Sequence, residues 1–460
     1  MASGAALDSR RRRDNRLVPH PSDPDATSED VGRSRSALVR GAGLGTVLVC
    51  LCGTLLLGLA IKEPCASGEW SDGRQYRQLC YTDIVPLLAT EQLGTGNRLP
   101  YLDPCRDATG NCDEYPVLTM YVMRAAAWMT PTTTYAPDER PARSYAGFFH
   151  VNVAILTLAA VAIAIALYVM AGLRALYFAL APTLLVYGFV NWDLIAVAFA
   201  TLATLAYLNR RDVASGALLG LGASAKLYPA LLVVPFALWR FRERRAVGAV
   251  HLLWAAAGTF LVINLPFALA GGPGWWEFFR LNSERPPDWD SLWFVACDRI
   301  GGLGICDHAA LVNVLSLALF ALLSAAVWRM KAARQPDFPR WTFGFPLLVL
   351  FLLTNKVYSP QYGLWLLPWF ALAFPNLRRF TAFEAADLAV FVTRFAFFGQ
   401  QDPDIGGWVN AVSIGWFEVA IVVRALVLVW CLVGWVRSPS TPPPTQGRTP
   451  INDALARTPA

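Results

Sequence analysis

The chain has 460 residues, of which 55% are apolar and only 16% are charged, and its formal net charge is +6. A soluble chain of this length would form two or three domains, but long apolar runs recur from Gly41 to Val436 and exclude that class. The basic residues lie in short loops between these runs, which excludes a nucleic-acid-binding surface as the reason for the positive charge. Since a bilayer core needs roughly 20 apolar residues per helix, we expect an all-α integral membrane protein.

The two ends of the chain are polar and of low complexity. Residues 1–40 carry several arginines among Pro, Ser and Asp, which predicts a disordered cytoplasmic tail. The apolar stretch Gly41–Ile61 is too long and begins too late for an ordinary signal peptide, so it is interpreted as an uncleaved first helix. Residues 437–460 predict a second disordered cytoplasmic tail. The membrane domain is therefore expected to cover residues 41–436.

The apolar runs predict a polytopic helical bundle with about twelve crossings. We expect the crossings at roughly 41–61, 148–171, 175–190, 193–208, 213–224, 228–239, 246–270, 309–328, 341–355, 361–375, 380–398 and 413–436. The run at 114–129 is short, and counting it as a crossing would place Arg210 and Arg211 on the outer face. It is therefore interpreted as an interfacial helix, as is the amphipathic stretch 83–93.

One apolar stretch, residues 213–239, is interrupted in its middle by Lys226–Pro229. This pattern predicts two short helices that meet at a break. Broken helices deep in a membrane usually line a cavity, because their free backbone groups cannot face lipid.

The charges of the loops orient the bundle. The net positive loops are 209–212, 240–245, 329–340 and 376–380, and the net negative loops are 62–147, 271–308 and 399–412. Under the positive-inside rule the first group faces the cytoplasm and the second faces outward.

The cysteines give an independent indication of the same orientation. Six of them fall in the loops assigned to the outer face, namely Cys65, Cys80, Cys105, Cys112, Cys297 and Cys306. An even set on the oxidising side predicts disulfides. Cys105–Cys112 and Cys297–Cys306 are the natural local pairs, which leaves Cys65 with Cys80, although six cysteines allow many other pairings. Cys50, Cys52 and Cys431 fall inside predicted helices.

Polar residues accumulate at the outer ends of the predicted crossings. They are Asn191, Asp193, Lys226, Lys356, Tyr358, Gln361, Tyr362 and Arg394, and the first outer loop adds Asp83 and Glu114. Ionisable groups at this depth are energetically expensive, so each is a candidate for function. Their common position predicts a cavity that opens outward.

Five motifs in chain order resemble glycosyltransferase family 87. They are Cys-Tyr-Thr-Asp-Ile at 80–84, Glu-Tyr-Pro-Val-Leu-Thr at 114–119, Val-Asn-Trp-Asp-Leu at 190–194, Ala-Lys-Leu-Tyr-Pro at 225–229 and Asn-Lys-Val-Tyr-Ser-Pro-Gln-Tyr at 355–362. The resemblance runs from about residue 41 to 436. It implies a membrane mannosyltransferase of the GT-C superfold, an inverting hexosyltransferase that moves a sugar from a polyprenyl phosphate to a glycolipid or glycan on the outer face.

The same resemblance implies roles for the polar residues. Asp83 occupies the position of the catalytic base, with Glu114 as the second carboxylate. Lys356, Arg394 and Lys226 are expected to bind the donor phosphate, and the remaining candidates are expected to bind substrate. Many GT-C enzymes carry a paired acidic motif in this loop, sometimes with a metal, but here residue 81 is a tyrosine. No cofactor is therefore expected, and a divalent metal is the alternative that the residues do not support.

Structural explanations compete with these roles. Asp83 and Asp193 each precede an apolar run and would suit helix N-caps. Glu114 would suit a cap or a pair with Arg124, and Lys356 and Arg394 would suit snorkelling side chains. A transporter or flippase for a lipid-linked saccharide is the alternative function, and an inactive partner in an envelope-synthesis complex is a third.

Overall fold

A computed structural model describes residues 24–68, 70, 72–95, 97–105, 112–133, 142–299, 305–401 and 407–440. The chain divides into two compact units, Met1–Gly43 and Leu44–Ala460. The part of the first unit that is described is helical, and all the sites discussed below lie in the second unit. Residues 1–23 of the predicted N-terminal tail and 441–460 of the C-terminal tail lie outside the described part, and the domain limits stay a prediction.

The described chain is almost entirely helical. The α-helices are α1 (Pro24–Lys62), α2 (Arg74–Arg77), α3 (Ile84–Thr90), α4 (Val117–Met129), α5 (Tyr145–Ala171), α6 (Leu176–Ala179), α7 (Pro182–Tyr187), α8 (Asp193–Leu208), α9 (Asp212–Ala225), α10 (Pro229–Arg242), α11 (Ala246–Ala270), α12 (Gly272–Glu284), α13 (Leu292–Arg299), α14 (Ala309–Arg334), α15 (Gly344–Thr354), α16 (Leu367–Leu372), α17 (Leu377–Gly399) and α18 (Ile414–Arg437). Short 3-10 segments are Glu63–Cys65, Gly172–Ala175, Arg340–Phe343, Pro360–Leu366 and Trp408–Ala411. Strands β1 (Thr132–Thr133) and β2 (Ala142–Arg143) form one antiparallel pair.

Five helical stretches in the described chain are long and apolar enough to cross a membrane. They are Gly41–Cys65, Tyr145–Ala179, Ala246–Ala270, Ala309–Arg334 and Ile414–Arg437. This confirms the predicted all-α multi-pass membrane fold. The count of about twelve crossings is not confirmed, because most of the other predicted spans form helices, such as α8 and α15, that are shorter than a bilayer core requires.

The predicted break in the stretch 213–239 is confirmed. Lys226 adopts an extended backbone with φ −158° and ψ 136°, and α10 restarts at Pro229, where the missing N–H removes no helical hydrogen bond. The break places the Lys226 side chain between two helix ends and not along a continuous helix. Further from the break, Gly216 and Gly220 face the backbone of α11 so closely that an added Cβ would clash with it.

The interfacial helix predicted at 83–93 requires correction. It is shorter, α3 ending at Thr90, and Gln92 takes a left-handed backbone with φ 53°. Its apolar residues Ile84, Val85, Leu87 and Leu88 are buried inside the protein. The helix is therefore part of the protein core, because its apolar side packs on other helices. The second interfacial prediction, at 114–129, corresponds to α4.

The three predicted disulfides are confirmed. They join Cys65 to Cys80, Cys105 to Cys112 and Cys297 to Cys306, with Cα–Cα distances of 5.6, 6.0 and 5.9 Å. The other three cysteines are free thiols. All three bridges lie in segments that the loop charges assign to a single face, so cysteine position and loop charge agree.

Candidate active site

One cavity of about 810 Å³ collects most of the polar candidates. The predicted residues that line it are Asp83, Glu114, Lys226, Lys356, Gln361, Tyr362 and Arg394. They come from the N-terminus of α3, the segment before α4, the break between α9 and α10, the link after α15, and α17. Residues distant in sequence thus converge at one end of the helices, as the sequence predicted.

The Asp83 carboxylate lines this cavity and is held in position by two hydrogen bonds. Tyr81 Oη donates to Oδ1 at 2.8 Å, and Asn191 Nδ2 donates to Oδ2 at 2.8 Å. Asp83 occupies the N-cap position of α3, but its side chain makes no capping hydrogen bond. The capping explanation is therefore wrong for this residue. A carboxylate held by two donors, with lone pairs still facing a cavity, is suited to accept a proton.

The backbone around Asp83 is fixed by contacts from several elements. Asp83 N donates to Val190 O at 2.9 Å, and Thr82 Oγ1 donates to Phe189 O at 2.7 Å. On the other side the buried Lys62 ammonium donates to Tyr81 O at 2.9 Å. The segment is thus tied to α1 and to the turn before α8, which limits the movement of the carboxylate.

Opposing effects act on the pKa of Asp83. Burial is the largest and raises this pKa, while the hydrogen bonds from Asn191 and Tyr81 and the charges of Arg394 and Lys226 oppose the increase. The outcome is a pKa above the ordinary value of an aspartate, which strengthens the carboxylate as a base. At position 81, where related enzymes often carry a second acid, this chain has a tyrosine that donates a hydrogen bond to Asp83.

Glu114 lines the cavity without serving the structural roles considered for it. Helix α4 is preceded by Pro116 at its N-cap, and Arg124 Nε donates to Arg98 O. In the described residues, no ion pair joins Glu114 to Arg124. Burial raises the pKa of Glu114, and the charge of Arg285 opposes that increase. Both the cap and the Arg124 pair are therefore wrong as explanations.

Lys226 is paired inside the protein. Its Nζ lies 2.8 Å from Asp193 Oδ2, and Trp365 Nε1 donates to Asp193 Oδ1 at 2.6 Å. The ammonium also lies 4.8 Å from the centre of the Tyr362 ring. Asp193 is fully buried and is not among the residues lining the cavity. Asp193 thus makes a contact that positions Lys226, in place of the predicted contact with substrate. The side chain of Asp193 does not cap α8.

Lys356 is also occupied by protein groups. Its Nζ donates to Ser283 O at 3.0 Å and to Arg285 O at 2.7 Å. Burial lowers the pKa of Lys356, and the charge of Arg285 adds to that effect. The side chain is buried and does not snorkel to an interface. Its contacts fasten the end of α12 to the cavity wall.

Arg394 belongs to a chain of buried charges. It pairs with Asp290, and Asp290 O accepts a hydrogen bond from Arg424 Nη2 at 2.9 Å. Arg424 in turn pairs with Asp387 at 3.2 Å and lies 3.7 Å from the centre of the Tyr358 ring. Tyr358 is buried beneath this guanidinium and does not line the cavity, which corrects its predicted substrate contact. Asn191 does not line the cavity either, and its side chain donates instead to Asp83.

Arg285 was not identified from the sequence. It lines the cavity, its side chain is 42% exposed, and its nearest carboxylate, Asp288, is 4.0 Å away. It is thus less constrained by internal partners than the three predicted cations. In sequence it follows Glu284 and resembles Arg280, which pairs with Glu277 and Glu284 on the same helix. No sequence signal separates the two arginines. The difference arises only in the folded chain, where Arg280 pairs within α12 and Arg285, just after the helix ends, lines the cavity.

One group of residues in the described chain has three metal-ligating atoms within 4.8 Å of one another, from Cys105, Cys112 and Asp113. Both sulfurs are joined in a disulfide and cannot act as thiolate ligands. The absence of a cofactor stays a prediction.

Comparison with known proteins gives one family and two solved structures. The model of glycosyltransferase family 87 matches residues 115–360, just over half of the chain. ArnT from Cupriavidus metallidurans bound to undecaprenyl phosphate is 15% identical, with 85% of this chain and 77% of that chain covered and a TM-score of 0.40. The apo state of the same ArnT is 14% identical, with 86% and 78% covered and a TM-score of 0.38. No curated protein matches.

Proposed function

Because this chain belongs to glycosyltransferase family 87, we propose that it transfers a hexose, with mannose as the expected sugar, from a polyprenyl-phosphate donor to an envelope glycolipid or glycan on the outer face of the membrane. The observation that carries the proposal is the Asp83 carboxylate. It lies in one cavity with Arg285, Arg394 and Lys226 and is held there by two hydrogen bonds. An acid facing several cations is the arrangement that sugar transfer from a phosphate needs.

The proposed reaction is a single inverting displacement. Asp83 takes the proton from an acceptor hydroxyl while that oxygen forms its bond to the anomeric carbon of the donor sugar. The bond between the anomeric carbon and the phosphate oxygen breaks, and its electron pair leaves with the lipid phosphate. The phosphate gains negative charge during this step, so fixed cations nearby stabilise the transition state.

The wall of the cavity supports a donor with both a phosphate and an apolar chain. Arg285 provides an exposed guanidinium for the phosphate, and Arg394 lines the same cavity. The apolar residues Phe278, Leu281 and Phe351 line the same cavity. Isoprenoid units bind through apolar contact, so this wall suits the first units of a polyprenyl chain.

The position of the disulfides supports an extracytoplasmic cavity. Cys65–Cys80 precedes Asp83, and Cys105–Cys112 precedes Glu114, each by only a few residues. Disulfides persist on the oxidising side of a membrane. Nucleotide sugars are not available there, which favours a lipid-linked donor.

The test compares Asp83→Asn with the wild type in purified, lipid-reconstituted full-length chain, using radiolabelled polyprenyl-phosphate mannose and extracted envelope lipids. We expect transfer to fall by about 10²- to 10⁴-fold, which is the usual contribution of a general base. Asp72→Asn is the matched control, because Asp72 lies in the same loop but is exposed and pairs with Arg74.

Full transfer by Asp83→Asn beside an active wild type would reject Asp83 as the base. The transferase proposal itself would be rejected by a wild-type chain that moves an intact lipid-linked saccharide across the bilayer without breaking the sugar–phosphate bond, which is the behaviour of a flippase. Substituting a glucose donor for the mannose donor then identifies the sugar.

A further inference from the structure

A second cavity, of about 850 Å³, lies at the other end of the helices that build the catalytic cavity. Helix α8 begins beside Lys226 and extends for 16 residues, about 24 Å at 1.5 Å per residue, before it reaches this end. The charged residues that line the second cavity are Arg210, Arg211, Asp212, Arg244 and Arg245, and His251 lines it as well. Sugar transfer as proposed above uses none of them.

Two turns of the same construction supply the four arginines. Arg210 and Arg244 each take a left-handed backbone, with φ values of 59° and 58°. The following residues, Arg211 and Arg245, each donate a backbone N–H back to the preceding helix at 2.9 Å. Helices α9 and α11 then begin at the next residue. Both turns therefore present an arginine pair at a helix N-terminus.

Close packing of α9 on α11 brings the two turns to one cavity. Gly216 and Gly220 face the carbonyls of Leu252 and Ala256, where an added Cβ would clash with the backbone. At the helix starts, an added Cβ at Gly248 would clash with Asp212 Oδ2, so the two N-termini lie side by side. Each N-terminus carries a partial positive charge, so the two add to the field of the arginines.

Few carboxylates oppose this charge. Asp212 is buried and already pairs with Arg240 at 2.6 Å. Arg210 lies 3.7 Å from Glu243, which itself pairs more closely with Arg240, at 2.8 Å. Across the described chain, the other three arginines of the cavity have no carboxylate within 4.0 Å. The cavity thus has a surplus of positive charge that can bind an anion.

The surroundings of the cavity favour a lipid over a soluble anion. Val213 and Val247 line it and are exposed, and Trp254, two turns further along α11, is 74% exposed. These apolar surfaces belong to helices of a membrane protein and run away from the basic turns. We propose that the second cavity binds the phosphate-bearing headgroup of an anionic membrane phospholipid, whose acyl chains lie along α9 and α11. The lipid belongs to the leaflet opposite the catalytic cavity.

Membrane orientation alone does not account for the arrangement. The positive-inside rule requires basic residues in these loops, and it is satisfied by any position within them. It does not require four arginines from two loops to converge on one cavity. A test must therefore remove charge from the cavity while leaving enough positive charge in the loops to keep the orientation.

The test measures lipid retention by the full-length chain with native mass spectrometry. The probes are phosphatidylglycerol and phosphatidylcholine at equal concentration. Arg211→Gln/Arg245→Gln leaves Arg210, Arg242 and Arg244 in the two loops. We expect the wild type to retain phosphatidylglycerol preferentially and this variant to lose affinity for it by about 10- to 30-fold.

A matched control is Arg329→Gln/Arg334→Gln, which removes two exposed arginines from the end of α14. We expect it to retain phosphatidylglycerol as the wild type does. Equal retention by the wild type and the cavity variant overturns the proposal, and so does an equal loss in the control. Binding of glycerol phosphate or inorganic phosphate without any preference for the phospholipid also overturns it, in favour of a soluble anion.

A second measurement uses only the wild-type chain, so it tests the proposal even if the cavity variant fails to fold. A photoactivatable phosphatidylglycerol is cross-linked to the wild-type chain, and the labelled peptides are identified. Labelling at residues 210–214 and 244–254 supports the proposal. Labelling confined to other parts of the chain overturns it.

Discussion

Tyr81→Phe offers the sharpest test of the proposed base, because it removes one hydroxyl and little else. The ring packs against Trp70 at 5.6 Å and Phe395 at 5.4 Å, and phenylalanine can keep both contacts. What is lost is the 2.8 Å hydrogen bond to Asp83 Oδ1. A hydrogen bond to a charged group contributes about 1.5–3 kcal/mol. At about 1.36 kcal/mol per factor of ten, this corresponds to a change of about 10- to 150-fold in the ionisation equilibrium of Asp83.

The sign of the effect follows from which form of Asp83 the hydrogen bond stabilises. Tyr81 donates to the carboxylate and so lowers the pKa of Asp83, against the increase caused by burial. Without this donor the pKa rises further, and Asp83 holds its proton to higher pH. We therefore expect kcat/KM to fall by about 10- to 150-fold on the acidic side of the pH profile and to approach the wild-type value at high pH.

The assay is the pH dependence of kcat/KM for sugar transfer by the purified chain. Tyr76→Phe is the matched control, because its ring also stacks near Phe395, at 6.4 Å, while the side-chain hydrogen bonds to Asp83 in the described chain come from Tyr81 and Asn191. We expect the control profile to match the wild type. An acidic limb that stays in place in Tyr81→Phe, or a loss of equal size at every pH, would refute the proposed action of Tyr81 on the ionisation of Asp83.

Two further predictions concern the cations of the catalytic cavity. Arg285→Gln should lower kcat/KM for the polyprenyl-phosphate donor by about tenfold or more, since a charge-assisted contact to phosphate is lost. Arg280→Gln, on helix α12 that ends just before Arg285, should leave donor kinetics unchanged. Equal kinetics in both variants would remove Arg285 from the site. Asp193→Asn should lower thermal stability by about 3–5 kcal/mol because it leaves Lys226 buried without its partner, and adding Lys226→Gln should recover much of that loss in a thermal unfolding assay. A double variant no more stable than Asp193→Asn alone would contradict this.

Much of the fold could be predicted because lipid imposes simple constraints on sequence. Apolar runs indicated helices, and Pro229 with the polar Lys226 marked the break between α9 and α10. The pairing of Cys65 with Cys80 was the one left after two local pairs, among many pairings that six cysteines allow. The surface helix at 83–93 was the main error, because an amphipathic pattern does not reveal whether the apolar side faces lipid or, as for Ile84, the protein core.

The candidate site was predictable in its chemistry but not in its internal contacts. Asp83 stood out because a carboxylate in that motif has a role in related enzymes. Lys356 looked like a free cation, and only the folded chain shows that two carbonyls of the α12 end accept its hydrogen bonds. Arg285 was missed for the opposite reason, because in sequence it looks like an ordinary loop arginine. Residue type indicates which groups are costly to bury, while tertiary contacts decide which of them remain available to a ligand.

The internal pairing of the cavity cations has a consequence for how they act. Lys226 is fixed by Asp193 and Arg394 by Asp290, so each cation is held in place before any substrate arrives. Each such pair is close to neutral, and its attraction for a distant phosphate is weak. A fixed dipole nevertheless stabilises charge that develops beside it without a cost of reorganisation. In the proposed reaction, we therefore expect capture of the donor phosphate to depend mainly on Arg285, and stabilisation of the leaving phosphate to depend mainly on the paired cations. Substitution of Arg285 should accordingly act first on donor KM, and substitution of Arg394 on kcat.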